Sequence, residues 1–189
     1  MKKSRILMMI SALLLLGLFI APMWRITLEA PQYPTPIGMN IWVNKITDVN
    51  PHDVKNINLM NHYVGMKEIP EELEEFKYFP IIAITMTCLG LLFGFLGKRK
   101  LYLTWFVIMV LLGAAGLYDF YLWEYNYGHD LDPTAAIKIP GQGYQPPLIG
   151  AKQILNFRAI SLPQFGAYMM FSGIILSLLS FFVAKREKS

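Results

Sequence analysis

Cysteine is almost absent: Cys88 is the single thiol among 189 residues. A lone thiol excludes an internal disulfide and a Cys-rich zinc site. Cys88, between Thr87 and Leu89, reads as a small apolar packing residue. Charge is missing over long stretches: Ile6–Trp24 carries none over 19 residues, Tyr78–Gly97 none over 20, Leu101–Tyr118 none over 18 and Phe165–Ala184 none over 20. With no ionisable residue near the middle of any run, an ion-coupled pump acting alone is disfavoured. All three histidines lie outside these runs, which excludes bis-His haem ligation between them, and neither His62 nor His129 accompanies a haem-attachment motif. There is no nucleophile elbow, phosphate loop, Rossmann glycine run or H-E-x-x-H, so the chain reads as non-enzymatic.

What is present is apolar: 54% of residues are hydrophobic and the mean hydropathy is +0.40. About 20 helical residues cross a hydrocarbon core of about 30 Å, so each uncharged run is long enough for one span. Lys2, Lys3 and Arg5 precede the first run, Lys98, Arg99 and Lys100 separate the second from the third, and Lys185, Arg186 and Lys188 follow the fourth. Lys and Arg near span ends mark the cytoplasmic side, which places both termini and the middle turn inside. The inner segments then carry +8 and the outer ones −4, which recovers the net +4. The basic balance therefore reflects topology and predicts no nucleic-acid partner. The first run also has the outline of a signal peptide. Its length and the lack of a nearby A-x-A site favour an uncleaved span, and the lack of a nearby Cys excludes a lipoprotein anchor.

These features predict an all-α membrane protein: a four-transmembrane-helix bundle, N-in and C-in, with a small mixed extracytoplasmic cap from two loops. Its boundaries are a first helix over 1–24, an outer segment over 25–77, a second helix over 78–97, a cytoplasmic turn over 98–100, a third helix over 101–122, an outer segment over 123–164, a fourth helix over 165–184 and a tail over 185–189. In lipid, helices associate through close packing and interhelical hydrogen bonds. Gly90 with Gly94, Gly113 with Ala114 and Gly116, and Gly173 with Ser177 are candidate contact points.

In the first outer segment, Met39–Ile46 reads as a short strand. Asn50-Pro51 reads as a helix start with Asn as the cap, and a helix over Val54–Val64 stops at Gly65. A second helix opens at Ile69-Pro70-Glu71-Glu72 and runs into the second span. Asn58, Asn61 and His62 share one helix face, with Met60 beside them and Met66 just beyond Gly65. Thioethers favour Cu(I) and imidazole accepts copper, so Met60, His62 and Met66 form a candidate Cu(I) set. The plainer reading has Met60 packing on the membrane face and His62 bonding locally. His52 is a further candidate, almost three turns from His62.

The second outer segment begins with an aromatic-acidic collar, Asp119, Tyr121, Trp123, Glu124, Tyr125 and Tyr127, followed by His129, Asp130 and Asp132. Trp and Tyr are ordinary interfacial anchors. Carboxylates so near the membrane need partners, and Lys138, Lys152 or Arg158 could supply them. The Pro140–Pro147 stretch is rich in turn formers, and Leu148–Phe157 is either a strand or an interfacial piece. Both outer segments are expected to pack together over the bundle.

The strings Asn58-Leu59-Met60-Asn61-His62-Tyr63-Val64-Gly65-Met66-Lys67, Trp123–Pro133 and Tyr144–Gly150 with Lys152-Gln153 resemble a small multi-span membrane protein of Bacteroidetes-type bacteria. That family is found in gene clusters for nitrous-oxide reductase and its copper-handling accessory proteins. The resemblance implies a bacterial inner-membrane location with periplasmic main loops, and copper chemistry at Met60, His62 and Met66. It implies an accessory role in maturation or copper supply of an extracytoplasmic copper enzyme, nitrous-oxide reductase, with that enzyme or its maturation proteins as partners. In this picture His129 with Asp130 or Asp132 completes or gates the site, and Asp119, Glu124 and His52 are further candidates. The alternative is a non-metal membrane anchor or assembly subunit of a transporter or respiratory complex, docking through its Pro/Gly/Tyr-rich loop. A quinol-interacting subunit using the Trp123–Tyr127 collar is the third expectation.

Overall fold

The computed structural model describes residues 2–70, 72–139, 141 and 143–187. Glu71, Pro140, Gln142 and Lys188, which contribute to the helix-start, loop and basic-cluster expectations, lie outside the described residues. The elements run α1 (Lys3–Leu14), α2 (Gly17–Ile20), β1 (Trp24–Glu29), β2 (Ile37–Ile41), β3 (Ile46–Asp48), α3 (Asp53–Val64), α4 (Glu75–Leu96), α5 (Arg99–His129), β4 (Gly150–Ile154), β5 (Phe157–Pro163) and α6 (Phe165–Arg186). Four stretches, Lys3–Ile20, α4, α5 and α6, are long and apolar enough to cross a membrane.

The all-α expectation is overturned. The five strands form one antiparallel sheet in the order β3-β2-β1-β5-β4, so the chain is mixed α/β, with apolar helices beneath a sheet. Trp24 is not the end of a span but the first residue of β1, where Trp24, Ile26 and Leu28 are buried and Arg25, Thr27 and Glu29 alternate with them. That period of two is a strand pattern, hidden in sequence because it abuts an uncharged run. The expected single strand over 39–46 is two strands folded back at Trp42–Lys45, where Trp42 N–H donates to Lys45 O at 2.8 Å. The stretch around 148–157 supplies β4 and the start of β5. The part of the collar from Trp123 onward, expected in the outer segment, is helical, because α5 continues to His129.

Small residues set the helix contacts. A Cβ on Gly90 would sit 2.6 Å from Ala12 Cβ and 2.9 Å from Trp105 Nε1, and one on Gly173 would sit 2.7 Å from Ser11 O. Substitution at either would push α1 away from α4 or α6. Trp105 Nε1–H donates to Met86 O at 2.9 Å, and the Ser11 hydroxyl to Gly173 O at 2.6 Å. These bonds tie helices together where lipid provides no competing water. Gly113 and Gly116 meet nothing within 4 Å, so these two glycines of α5 are not contact points within this chain. At the end away from the sheet, Ser4 donates to Glu187 through both its backbone N–H and its hydroxyl. The N-terminus, the Gly97 turn beside Arg5 and the end of α6 thus share one end of the bundle.

The sheet is tied directly to the helices. Trp24 of β1 pairs with Pro163 of β5, immediately before α6, and the ladder runs to Glu29 opposite Arg158 at the far end. One sheet face packs on α3 and the last turns of α5: Trp24 meets the Phe120 ring edge-on at 5.5 Å, and Ile26, Leu28, Met39 and Ile57 are buried together. Trp24 Nε1–H donates to Ser161 Oγ at 2.7 Å, and Ser161 in turn donates to Leu148 O.

A buried acid fixes α3 against the sheet. Asp53 is 2% exposed and its Oδ2 accepts from Gly38 N–H and Asn50 N–H, each at 2.8 Å, and from Asn50 Nδ2. Asn50 is therefore not the helix cap. The cap position is His52, in left-handed conformation at φ 68, and Asp48 Oδ1 accepts from Val54 N–H at 2.7 Å. Gly65, also left-handed at φ 81, ends α3 where Met66 N–H reaches back to Asn61 O. Replacing Asp53 with Ala orphans the Gly38 amide. Asp53→Ala is expected to destabilise the sheet region by roughly 2–3 kcal/mol, read as a lower melting temperature in detergent, with helical content retained.

Candidate functional site

Between the sheet, α3, α5 and the segment leading into β4 lies a cavity of about 240 Å³. Its sheet wall is Ile26, Met39, Ile154 and Ala159, and α3 adds Ile57, Met60 and Asn61. Trp123, Glu124 and Tyr127 come from α5, and Tyr144 and Pro146 from the crossing segment. The exposed lining residues Gln32, Tyr63, Ile137 and Asn156 rim its mouth. Gln32 and Asn156 belong to the loops at the sheet end farthest from the β1 and β5 junctions with the helices. The crossing segment sits close because Gly128 has no side chain: a Cβ there would collide with the Gln145 backbone, and Tyr144 N–H donates to Gly128 O at 2.9 Å.

Polar atoms in this wall lack partners. Glu124 is 0% exposed, and neither carboxyl oxygen has a hydrogen-bond partner among the described residues. Trp123 Nε1 and the Tyr144 hydroxyl are likewise buried and unpartnered. Buried polar groups are nearly always satisfied, and each exception calls for an explanation. At about 1.5 Å per residue α5 is about 46 Å long, against a hydrocarbon core of about 30 Å. Its final turns pack on the sheet, and an upright span of about 30 Å beginning at Lys98–Lys100 would end before Glu124. Burial alone pushes the Glu124 carboxyl up to about 8, so at neutral pH it is mainly the uncharged acid. Burial also raises the Tyr127 phenol, whose hydroxyl donates to Glu68 O at 2.9 Å.

The residues singled out from sequence fall into separate places. Met60 and Met66 line the cavity, where the Met60 sulfur accepts from Gln32 Nε2 at 3.7 Å. His62 is exposed, edge-on to Tyr63 at 6.2 Å, and outside the cavity lining. Asp132 is near enough to feel His62, and its carboxyl is held below the usual range chiefly by hydrogen bonds from Thr134. His129 stacks on Tyr125 at 4.1 Å, hydrogen-bonds Tyr125 O through Nδ1 and lies against Gly143. Asp130 pairs with Lys67 at 2.6 Å, both exposed. Asp119 sits on α5 toward Glu75 of α4, and His52 is exposed at the start of α3. Asn58 and Asn61 staple the segment after Gly65: Asn58 Oδ1 accepts from Ile69 N–H at 2.9 Å, and Asn61 Nδ2 donates to Lys67 O at 3.2 Å. Among the described residues no three His, Cys, Asp or Glu side chains gather as a metal-holding group.

Of the cations offered as partners for these acids, Lys152 Nζ donates to Gln145 O, Arg158 pairs with Glu29 at 3.4 Å, and Lys138 acts on Asp132. Tyr144 is the functional candidate that sequence reasoning passed over as loop. The signal available was its place among Gly and Pro residues, where one large aromatic must bury itself somewhere.

The Glu124 shift has a direction that can be measured. Its carboxyl titrates near 4.5 when unfolded and near 8 when folded, so between those values the folded chain holds a proton that the unfolded chain has lost. Stability must fall as pH rises across that window, by at most about 1.4 kcal/mol per pH unit. Thermal melts in detergent are expected to show a lower melting temperature at pH 8.5 than at pH 5. Glu124→Gln should flatten that difference.

No protein-family model, curated protein or solved structure matches this chain.

Proposed function

We propose that this chain is a membrane-embedded accessory protein whose sheet-and-helix cap binds a small, mainly apolar molecule on the extracytoplasmic side. The observation that carries the proposal is Glu124: a carboxyl buried with no hydrogen-bond partner among the described residues, in the wall of a mainly apolar cavity that has a mouth. Such a group costs folding stability on its own, and ligand sites are the usual places where that cost persists, since they combine apolar walls with a few convergent polar groups. The sidedness rests on the basic residues at the opposite end of the bundle, Lys2, Lys3, Arg5, Lys98–Lys100, Lys185 and Arg186. The test is native mass spectrometry of protein purified in mild detergent. A small-molecule adduct is expected on the wild type and its loss on Glu124→Leu; a wild type found only at its own bare polypeptide mass would end the proposal.

A second reading is favoured by Met60 and Met66, whose thioethers stand in the same wall. Two thioethers suit Cu(I), and the resemblance to nitrous-oxide-reductase accessory proteins supports a role in copper supply to such an extracytoplasmic enzyme. His62, two residues beyond Met60 but outside the cavity lining, would then act as an entry ligand rather than an interior one. Competition for Cu(I) against a chromophoric chelator is expected to show one site in the wild type and a large loss in Met60→Leu/Met66→Leu. Equal competition by both proteins would remove the thioethers from any copper site.

A further inference from the structure

The cavity wall has a one-sided polar character. Among the described residues Glu124 is its only charged-type lining residue: no described Lys, Arg, His or Asp lines it, and the other described titratable groups are the phenols Tyr63, Tyr127 and Tyr144. The unpartnered atoms are chiefly donors. The Trp123 indole N–H can only donate, the Tyr144 hydroxyl carries one proton to give, and a buried acid in apolar surroundings donates through its own O–H.

Resting on the ligand-binding reading above, we infer that the molecule held in the Glu124–Trp123–Tyr144 cavity is uncharged and presents a carbonyl-type oxygen as hydrogen-bond acceptor. An anion would enter a wall with no cation and one acid. An ammonium ion would face an indole N–H that repels it, and would have to expel the Glu124 proton to gain a counter-ion. A pure hydrocarbon would leave all three buried groups unsatisfied, which is the arrangement that protein interiors avoid. A carbonyl oxygen accepts from one or two of these donors and brings no charge into the wall. The size also fits a small ring: an apolar cavity of about 150 Å³ accommodates benzene, and this one, at about 240 Å³, has room for a few further atoms. Tyr127, Met60 and Phe157 supply the apolar surface for such a ring. Because Glu124 donates only while protonated, affinity for the carbonyl compound must weaken as pH rises through about 8. Among the described residues no other charged side chain lines the cavity to offset that loss.

The experiment uses four probes of one skeleton against the full chain in nanodiscs, followed by ligand-observed NMR at pH 6.5. They are acetophenone, cumene, 1-phenylethylamine and benzoate, with Glu124→Leu and Glu124→Gln beside the wild type. Acetophenone is expected to bind the wild type about tenfold more tightly than cumene, the equivalent of about one hydrogen bond. The amine and benzoate should bind more weakly still. Glu124→Leu should erase the preference for acetophenone over cumene, whereas Glu124→Gln, which keeps an N–H donor, should preserve most of it. If cumene or the amine binds the wild type as well as acetophenone, the ligand class is wrong and the cavity remains a binding site. If none of the four binds, the ligand-binding proposal falls as well.

Discussion

The pairing of β1 with β5 joins the two halves of this molecule. β1 begins four residues after α2 and β5 ends two residues before α6, so six rungs of ladder from Trp24–Pro163 to Glu29–Arg158 hold together the ends of helices that already pack through Ser11 and Gly173. Each contact presents the other at close range and lowers the entropic cost of forming it. With that seam in place, β2 and β3 extend the sheet on one side and β4 on the other. The buried face of the sheet then needs a cover, which α3 and the last turns of α5 provide. The cavity lies in that layer, which explains why Trp123, Glu124 and Tyr127 face a sheet built from the two ends of the sequence.

How much of this was legible depends on the range of the interactions. The four apolar helices were readable because each needs only its own run of uncharged residues, and α3 stopped at Gly65 because a left-handed residue is a local requirement. The sheet was not readable in the same way. β1 follows the first apolar run without a break, so its alternation of Trp24, Ile26 and Leu28 with Arg25, Thr27 and Glu29 is lost in any average over a membrane-length window. Its strongest partner lies in the last quarter of the chain. The end of α5 was misjudged for a related reason: a collar of Tyr and Trp is expected at a lipid–water interface, yet here those rings stack along a helix that continues onto the sheet, as with Trp123 on Tyr127 at 4.5 Å.

The candidate site divides along the same line. Glu124 was visible as an acid without an obvious local partner, and tertiary structure gives the candidate cations Lys152 and Arg158 other acceptors. The Met and His residues of the Asn58–Met66 stretch looked like one constellation because they are close in sequence. The helix turns Met60 toward the interior and His62 toward solvent, and two asparagines of the same string serve to hold the turn after Gly65. Where local rules and the overall fold disagree, functional sites are the first places to examine. Glu124 is the clearest such disagreement in this chain.

One consequence follows from α5 being a continuous helix of 31 residues with no proline from Arg99 to His129. Its first turns are anchored by the buried Tyr102, Trp105 and Met109, its middle around Gly113 and Gly116 has open space beside it, and its top forms one wall of the cavity. Glu124 stands about 38 Å along this rod from its first residue. A change of inclination of only ~5° pivoting at the basic turn would displace the carboxyl by about 3 Å, and bilayer thickness alters helix inclination by such amounts. In a bilayer the helix would act as a lever whose inclination follows the thickness of the lipid and whose tip adjusts the shape of the pocket.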